Sequence, residues 1–217
     1  MVRMKNGLYC ERLTSNKHNK ELIKDFIIDR EKACRYEYER TGRIFGLELY
    51  LKHCAWEADL SNEARFYVIK TVFTNEIVAY FSLKCGLISV DSVFRNDNKE
   101  NLAREQGVKL VPDTLSGIEI AHFAINDKYR KNHSKNGILV KGLGKYLYLD
   151  FIIPIIRKAN KLVAAQILYL YAADSSKDKK LVEYYNKTLM FKTVDNENYK
   201  PVTSYYDNNC IFMYRLL

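Results

Sequence analysis

Two glycines at the start of a predicted helix form the part of the sequence best suited to hold a ligand. Gly142 and Gly144, separated by Leu143, follow a predicted strand and a polar loop. Glycine lets backbone N–H groups approach a ligand closely, and a helix N-terminus carries partial positive charge. Lys141 and Lys145 lie on either side. This pattern favours binding of a phosphate or diphosphate group.

The charge of the chain is concentrated around the same turn. The 217 residues include 35 Lys and Arg against 26 Asp and Glu, for a net charge of +9. Between Lys128 and Lys145 there are six basic residues and no acidic one. Such a segment attracts an anionic partner, although a solvated lysine-rich loop would have the same composition. The turn is neither a P-loop nor a complete Rossmann fingerprint, because G-x-x-x-x-G-K-[ST] and G-x-G-x-x-G are both absent.

Strands and a helix must position this turn. The apolar residues of 118–126 predict a central strand that leads into the loop. The helix after the turn is marked by an apolar stripe, and Pro154 predicts a kink or a break within it. Residues 167–173 predict another buried strand, which makes the sheet locally parallel within a mixed one.

The remaining elements flank this centre. Residues 66–73 and 76–88 predict a hairpin that turns at Thr74-Asn75. Before it we expect a strand at 8–13, a helix from Leu22 toward Tyr38 that ends near Gly42, and a helix over 44–58. After the centre we expect a helix over 177–188 capped by Ser175 and Ser176, and strands at 190–194 and 210–216.

Composition excludes several classes of protein. An apolar share of 47% is enough for a core, so the chain is not wholly disordered. No run approaches the 18 apolar residues of a membrane-spanning helix, and the first residues lack the apolar core of a signal peptide. The five cysteines form no C-x-x-C pair, and the four histidines show no metal-ligand spacing. We therefore expect a cytoplasmic protein with reduced thiols, no metal and no membrane association.

Two stretches of the chain carry motifs with a counterpart in a known family. Phe123-Ala124-Ile125 is followed by Arg130 and later by Gly142-Leu143-Gly144, and LVEYYNK at 181–187 is followed by Phe191. Together with the hairpin that ends in IVAYFSL, they resemble the GNAT superfamily of acyl-CoA-dependent N-acetyltransferases. The resemblance covers 66–217 well and the first 60 residues loosely.

The resemblance implies a fold and a domain organisation. The fold is α/β, with a mixed, mostly antiparallel central sheet, helices on both faces and a V-shaped opening between the family's fourth and fifth strands. The chain is expected to be a single domain over 1–217. Its N-terminal strand and helical portion would occupy 1–60, and the acyl-CoA-binding core 64–217, with an inserted basic loop at 131–141.

The resemblance also implies that acetyl-CoA is the cosubstrate. In the family's pyrophosphate loop an Arg or Gln precedes x-x-G-x-G or x-x-G-x-A. Arg130 matches the first position and the glycine turn matches the end, but 11 residues separate them here instead of two. The candidate cofactor-binding residues are Phe123, Ala124, Ile125, Arg130, Lys141, Gly142, Leu143, Gly144, Lys145 and Ser176.

An acid and a base are implied in the same way. LVEYYNK is similar to the family's FYEKxGF segment, in which the proposed acid tyrosine matches Tyr185 best and Tyr184 next. Met190 stands where glycine is usual in that segment. Several family members carry a glutamate at the position of Glu119, four residues before Phe123.

The side-chain chemistry agrees with these roles. An ammonium group has no lone pair, so Glu119 is the candidate base that takes its proton, directly or through water. The hydroxyl of Tyr185 can protonate the departing thiolate. The alternatives are structural: a paired strand carboxylate for Glu119 and an amphipathic core residue for Tyr185. His122 lies on the other face of the strand and is expected to be packed.

The predicted function is that of an N-acetyltransferase that moves an acetyl group from acetyl-CoA to a primary amine by direct attack in a ternary complex. The acceptor is left open among a small molecule, a peptide and an aminoacyl-tRNA, and a homodimer is an option. One alternative is a toxin-like acetyltransferase that acts on aminoacyl-tRNA. The other is a GNAT-like module that binds acyl-CoA or RNA without catalysis.

Overall fold

The computed structural model describes residues 3–90, 114–131, 142–174, 176–193, 199–201 and 210–217. The chain forms two compact units, each made of two separate stretches of the sequence. The first unit comprises Met1–Lys84 and Ile120–Lys161, and the second comprises Cys85–Glu119 and Leu162–Leu217. The expectation of a single domain over 1–217 stays a prediction.

Most of the predicted elements occur in the predicted order, whereas the strands at 3–5 and 199–201 and the helix at 127–131, where a polar loop was expected, were not predicted. The described strands are β1 (Arg3–Lys5), β2 (Leu8–Arg12), β3 (Arg65–Thr71), β4 (Ile77–Val90), β5 (Thr114–Ile125), β6 (Ile167–Ala173), β7 (Lys192–Thr193), β8 (Tyr199–Pro201) and β9 (Cys210–Leu216). The described α-helices are α1 (Asn19–Leu22), α2 (Lys32–Thr41), α3 (Leu47–His53), α4 (Ala55–Leu60), α5 (Asp127–Lys131), α6 (Leu143–Leu147), α7 (Ile153–Leu162) and α8 (Lys180–Leu189). None of the helices in the described ranges is both long and apolar enough to cross a bilayer.

The first unit is built on the strand order β1-β2-β3-β4-β5. The pairs β1–β2, β2–β3 and β3–β4 are antiparallel, and the last of them is the predicted hairpin. Its core contains Phe26, Leu51, Phe66 and Tyr80, which are fully or almost fully buried. Burial of each such side chain contributes about 1.5–3 kcal/mol, so this core holds the N-terminal helices against the sheet.

The predicted helix from Leu22 to Tyr38 is wrong. The helical residues after α1 end at Asp25, and α2 begins at Lys32. Between them Phe26 and Ile28 have extended backbones. Both are buried, and the N–H of Ile28 donates to the Glu48 carboxylate at 2.7 Å. These tertiary contacts outweigh the helical spacing of the apolar residues.

Another predicted N-terminal helix is divided in the structure, and one predicted helix end is confirmed. The predicted helix over 44–58 is divided at Cys54 into α3 and α4. Gly42 ends α2 in the left-handed conformation (φ 71°), as expected. The carboxylate of Glu31 accepts the N–H groups of Leu47 and Glu48 at the start of α3, at 3.0 and 2.7 Å. A side chain distant in sequence therefore caps this helix.

Pro154 neither ends nor interrupts the helical segment after the glycine turn, where a kink or a break was predicted. The segment begins as α6, continues as a π-helical turn over Tyr148–Ile152 and returns to α-helix in α7, which contains Pro154 in its first turn. Proline removes the N–H that would bond the carbonyl of Asp150. The wider π turn accommodates that missing bond without ending the helical segment.

The second unit is built on the strand order β4-β5-β6-β9-β7, and β8 pairs with β4. Strands β6 and β9 are antiparallel, and they place Tyr169 opposite Tyr214 and Tyr171 opposite Phe212. The bounds of β6 and β9 match the predicted ones, whereas α8 begins three residues later than predicted and β7 is shorter. Aromatic side chains on one face of the β6–β9 pair form the core of this unit.

Candidate functional site

The predicted cofactor residues of β5 lie at the end of the strand in the first unit. Ala124 and Ile125 are buried and Phe123 is half-buried. Asn126 then fixes the end of the strand: its N–H donates to the Val78 carbonyl at 2.8 Å and its amide group to the Ile77 carbonyl at 3.0 Å. These bonds hold the point at which the chain leaves the sheet for α5.

Arg130 lies on α5, where its charge is already paired. Its Nε is 3.2 Å from an oxygen of Asp127, and the other Asp127 oxygen accepts the N–H of Asp29 at 2.7 Å. A phosphate would therefore compete with Asp127 for the guanidinium. Residues 132–141 of the inserted loop, including Lys141, lie outside the described residues. Contact between Arg130 and a pyrophosphate stays a prediction.

The glycine turn has the geometry that the sequence predicted. Gly142 has a left-handed backbone (φ 79°), and a Cβ built there meets nothing within 4 Å. Leu143 is buried, Gly144 is half-buried and Lys145 is exposed. The first N–H groups of a helix have no partner inside it, so these donors and Lys145 together suit an anionic group. The residues present at the turn therefore fit the diphosphate of CoA.

Glu119 lies on β5 in the second unit, where it is buried with 7% of its surface exposed. Its carboxylate accepts a hydrogen bond from the hydroxyl of Tyr169 at 3.3 Å. Sequence analysis did not identify Tyr169. Burial first, and then the charge of Glu119, raises the pKa of this hydroxyl above its usual value, so Tyr169 keeps its proton and acts as the donor.

Two strand glycines make room for Tyr169. A Cβ at Gly86 on β4 would lie 1.7 Å from the Tyr169 hydroxyl oxygen, and one at Gly117 on β5 would lie 3.0 Å from its ring. A glycine inside a strand often marks the close approach of another group. The pair Gly86 and Gly117 is therefore the sequence signal that could have indicated a large side chain crossing both strands.

Tyr185 lies on α8, as predicted, and is half-buried. Its ring packs against those of Phe191 and Tyr184, with centroid distances of 6.3 and 6.1 Å. The Tyr185 carbonyl accepts the N–H of Phe191 at 3.0 Å. The residues after α8 thus fold back onto the helix and fix the position of the Tyr185 ring.

The start of α8 is held by an aspartate rather than by serine alone. The carboxylate of Asp174 accepts the N–H groups of Leu181 and Val182 at 2.8 and 3.1 Å. Ser176 donates its hydroxyl to the same carboxylate at 2.6 Å and accepts the N–H of Lys180 at 3.2 Å. Ser176 is therefore a capping residue here, its contact with the cofactor stays a prediction, and Ser175 lies outside the described residues.

We expect Asp174→Asn to weaken the anchoring of α8. The Ser176 hydroxyl first, and then backbone N–H groups, lower the pKa of Asp174 to about 2. A carboxylate with a lowered pKa stabilises the fold above its unfolded value, near 4, and this contribution is lost as the pH falls from about 4 to 2. The variant should lose about 1 kcal/mol of unfolding free energy at pH 7, because hydrogen bonds to a neutral amide are weaker than those to a carboxylate, and the difference should shrink below pH 4.

Urea denaturation at pH 7 and pH 3 measures this effect. Asp178→Asn is the matched control, because Asp178 is exposed and its contact with Lys180, at 3.4 Å, is a surface ion pair. We expect the control to change stability by less than about 0.5 kcal/mol at either pH. An equal loss in both variants would show that general charge, rather than the cap, stabilises the helix.

Met190 takes the conformation that glycine usually supplies in the resembling motif. It follows α8 with φ 63° and ψ 30°, and it is 67% exposed. A side chain in this left-handed region costs about 1 kcal/mol. We therefore expect Met190→Gly to raise the free energy of unfolding by about that amount in urea denaturation. Met190→Ala keeps the Cβ and should give no comparable gain; an equal gain would attribute the effect to the exposed side chain.

His122 is packed, as expected. Its imidazole stacks on Tyr50 with a centroid distance of 4.5 Å, and its Nδ1 is 2.7 Å from the Ser82 hydroxyl. Burial, assisted by the charge of Lys84, lowers its pKa to about 4. The ring is therefore neutral at physiological pH and belongs to the core of the first unit.

The predicted residues divide between the two units. The first unit holds the end of β5, Arg130 and the glycine turn, and the second holds Glu119, Ser176 and Tyr185. In the second unit Glu119 meets a donor that the sequence did not reveal, Tyr169. In the described ranges no three His, Cys, Asp or Glu side chains form a cluster that could hold a metal ion.

Comparison with known proteins gives no match by sequence and many by structure. No family model matches the chain, and neither does any curated protein. AtaTR bound with acetyl-CoA is similar with a TM-score of 0.60 and 15% identity, over 96% of this chain and 94% of the other. AtaT complexed with acetyl-methionyl-tRNAfMet gives a TM-score of 0.57 and 15% identity, over 89% and 93% of the two chains.

KacT is also among the matched structures. A tyrosine-to-phenylalanine mutant of KacT gives a TM-score of 0.54 and 13% identity, over 97% of this chain and 95% of the other. AtaT and KacT have the GNAT fold. At these identities the similarity concerns the fold. The chain therefore has the GNAT fold, with a mixed, mostly antiparallel sheet and helices, as its sequence motifs predicted.

Proposed function

We propose that the chain is an acetyl-CoA-dependent acetyltransferase whose acceptor is the amino group of an aminoacyl-tRNA. The observation that carries the proposal is the similarity of fold, over almost the whole chain, to a toxin bound with acetyl-CoA. The acceptor class rests on the similarity to AtaT complexed with acetyl-methionyl-tRNAfMet, in which the tRNA carries an acetylated aminoacyl group. The proposed activity is therefore toxin-like.

The glycine turn is the proposed site for the diphosphate of acetyl-CoA. The open left-handed Gly142, the first N–H groups of α6 and the exposed Lys145 supply donors and positive charge. The end of β5, over Phe123, Ala124 and Ile125, is the proposed contact for the acyl-bearing end of the cosubstrate. Backbone N–H groups there would stabilise the oxyanion that develops on the acetyl carbonyl.

Glu119 is the proposed general base. It accepts one proton from the acceptor ammonium, directly or through water, so that the nitrogen lone pair can attack the acetyl carbonyl carbon. A C–N bond forms and the C–S bond breaks. The hydroxyl of Tyr185 is the proposed acid that protonates the departing sulfur, and the proton released by the amide nitrogen returns to the tyrosinate. The products are an N-acetylated acceptor and free CoA.

The charge of the chain supports a nucleic acid as part of the substrate. The net charge is +9, and Lys128, Arg130 and Lys145 are exposed basic residues on the segment that carries the proposed cofactor turn. Positive charge attracts the phosphates of RNA and makes its binding sensitive to salt. A small uncharged amine would gain nothing from this charge.

Acetyl transfer with a panel of acceptors tests the proposal. The purified chain is incubated with acetyl-CoA and aminoacyl-tRNA, deacylated tRNA, a free amino acid or a peptide, and release of the CoA thiol is followed. We expect thiol release with aminoacyl-tRNA and none with deacylated tRNA. Thermal denaturation with CoA is measured in parallel, and CoA should raise the melting temperature.

The panel separates the two parts of the proposal. Acetylation of peptides or small amines, with none of aminoacyl-tRNA, would overturn the acceptor and leave the acetyltransferase in place. An unchanged melting temperature at millimolar CoA, together with no thiol release from any acceptor, would overturn the activity itself.

A further inference from the structure

The side chain of Tyr169 fills a space that glycines on two neighbouring strands leave open. The residue lies on β6 and is 4% exposed. Its ring crosses Gly117 on β5, and its hydroxyl fills the space where a side chain at Gly86 on β4 would lie. The absence of a side chain at both glycines therefore lets the Tyr169 hydroxyl extend across β5 as far as β4.

The hydroxyl of Tyr169 reaches the carboxylate of Glu119 at 3.3 Å. This is longer than an ordinary O–H···O bond, which measures about 2.7–2.8 Å. Hydrogen bonds of catalytic groups are often long without substrate and shorten in the substrate complex. Both groups are buried, so the contact lies in a region of low dielectric constant, where a hydrogen bond to a carboxylate is stronger than in water.

We propose that Tyr169 is a positioning residue for Glu119, whose hydroxyl fixes the orientation of the carboxylate, and that Gly86 and Gly117 leave the space that its ring and hydroxyl occupy. The inference rests on the proposed role of Glu119 as the base of acetyl transfer. A general base must lie within hydrogen-bond reach of the proton that it accepts. A carboxylate held in one orientation therefore accepts the ammonium proton more efficiently than one that rotates.

Other titratable side chains lie near the pair among the described residues: Cys85 on β4, Tyr171 on β6 and Tyr214 on β9. Burial first, and then the charge of Glu119, raises the pKa of Tyr171 as it does that of Tyr169, so both hydroxyls keep their protons at neutral pH. Tyr169 therefore reaches Glu119 as a neutral donor.

The separate effects of Tyr169→Phe on kcat and on KM test the proposal. Phenylalanine keeps the ring in the space above Gly117 and removes only the hydroxyl. We expect kcat to fall about tenfold, the effect of losing one hydrogen bond to a charged group, while the KM for acetyl-CoA stays within about twofold of the wild type. The CoA-induced rise in melting temperature should be the same as in the wild type.

Tyr129→Phe is the matched control. The hydroxyl of Tyr129 also donates to a glutamate, Glu76, at 2.7 Å, but in the first unit. The variant therefore loses a tyrosine–glutamate hydrogen bond in another part of the chain, and its kcat should match that of the wild type. An equal loss of kcat in both variants would assign the effect to general stability and overturn the proposal.

Two further outcomes separate the inference from the proposed function. A Tyr169→Phe variant that folds and keeps the wild-type kcat would show that the hydroxyl has only a structural role, which overturns the inference and leaves the proposed function standing. Absence of acetyl transfer by the wild type with every acceptor would overturn the proposed function and the inference together. A loss of kcat in Tyr169→Phe alone, with KM unchanged, supports both.

Discussion

Tyr185→Phe is expected to lower kcat for acetyl transfer by about 100-fold, near the low end of the range for loss of a general acid. The low end applies because a thiol, with a pKa near 8.5, is already a fair leaving group. The ring that packs against Phe191 remains, so α8 should keep its position. The KM for acetyl-CoA and the CoA-induced rise in melting temperature should therefore change little.

Tyr184→Phe is the control for this experiment. Tyr184 is the adjacent residue on α8, it is also half-buried, and its ring touches that of Tyr185. Its loss should leave kcat within about twofold of the wild type, since it is not the proposed acid. A larger loss in Tyr184→Phe than in Tyr185→Phe would transfer the acid role to Tyr184. If both variants kept the wild-type kcat, neither tyrosine of α8 would be the general acid.

Glu119→Gln is expected to lower kcat/KM by about 1000-fold at pH 7, within the range for loss of a general base. Glutamine has the same shape and can still accept the Tyr169 hydrogen bond, so the variant isolates the loss of basicity. An α-amino group has a pKa near 8 and loses its own proton above that pH. The defect should therefore shrink as the pH is raised from 6.5 to 9.

Steady-state rates across this pH range measure the effect, with Glu183→Gln as the control. Glu183 lies on α8, is solvent-exposed and pairs with Lys187 at 2.5 Å. We expect it to have the wild-type profile. A Glu119→Gln variant with a defect of constant size at every pH would argue for a structural role, and one that is fully active at pH 6.5 would exclude Glu119 as the base.

The elements that the sequence predicted best are those whose patterns are local. The hairpin of β3 and β4 is marked by alternating apolar residues and a Thr74-Asn75 turn, and β6 and β9 are short apolar runs between polar segments. The π-helical turn before Pro154 follows from a missing N–H, which is a property of one residue. In each case the neighbours in sequence determine the backbone.

The elements that the sequence predicted poorly depend on distant partners. Phe26 and Ile28 lie on the helical stripe that begins at Leu22, yet they are extended because the core and the Glu48 carboxylate fix them. Asp174 caps α8 across a gap of several residues, where the sequence pointed to Ser175 and Ser176. Helical periodicity and adjacent cap residues carry no information about such contacts.

The residues of the candidate site show the same difference between local motifs and contacts that are distant in sequence. Glu119, Tyr185 and the glycine turn were identified by a match to linear motifs, and the structure places each on the expected type of element. Tyr169 was not identified, because its role arises only where β4, β5 and β6 lie side by side. The chain has 17 tyrosines, and no pattern in the sequence distinguishes Tyr169 from the others. Its role becomes visible only in the structure, where its side chain lies against Gly86 and Gly117.

The way in which each unit is assembled from two stretches of chain has a consequence for biosynthesis. During synthesis the first stretch of each unit leaves the ribosome before the second stretch has been made. In the first unit Met1–Lys84 precedes Ile120–Lys161. In the second unit Cys85–Glu119 precedes Leu162–Leu217. Contacts between residues so far apart in sequence slow folding. No single cut of the chain releases either unit intact, so fragments made by truncation should be insoluble or unfolded, whereas co-expressed complementary fragments could reassemble.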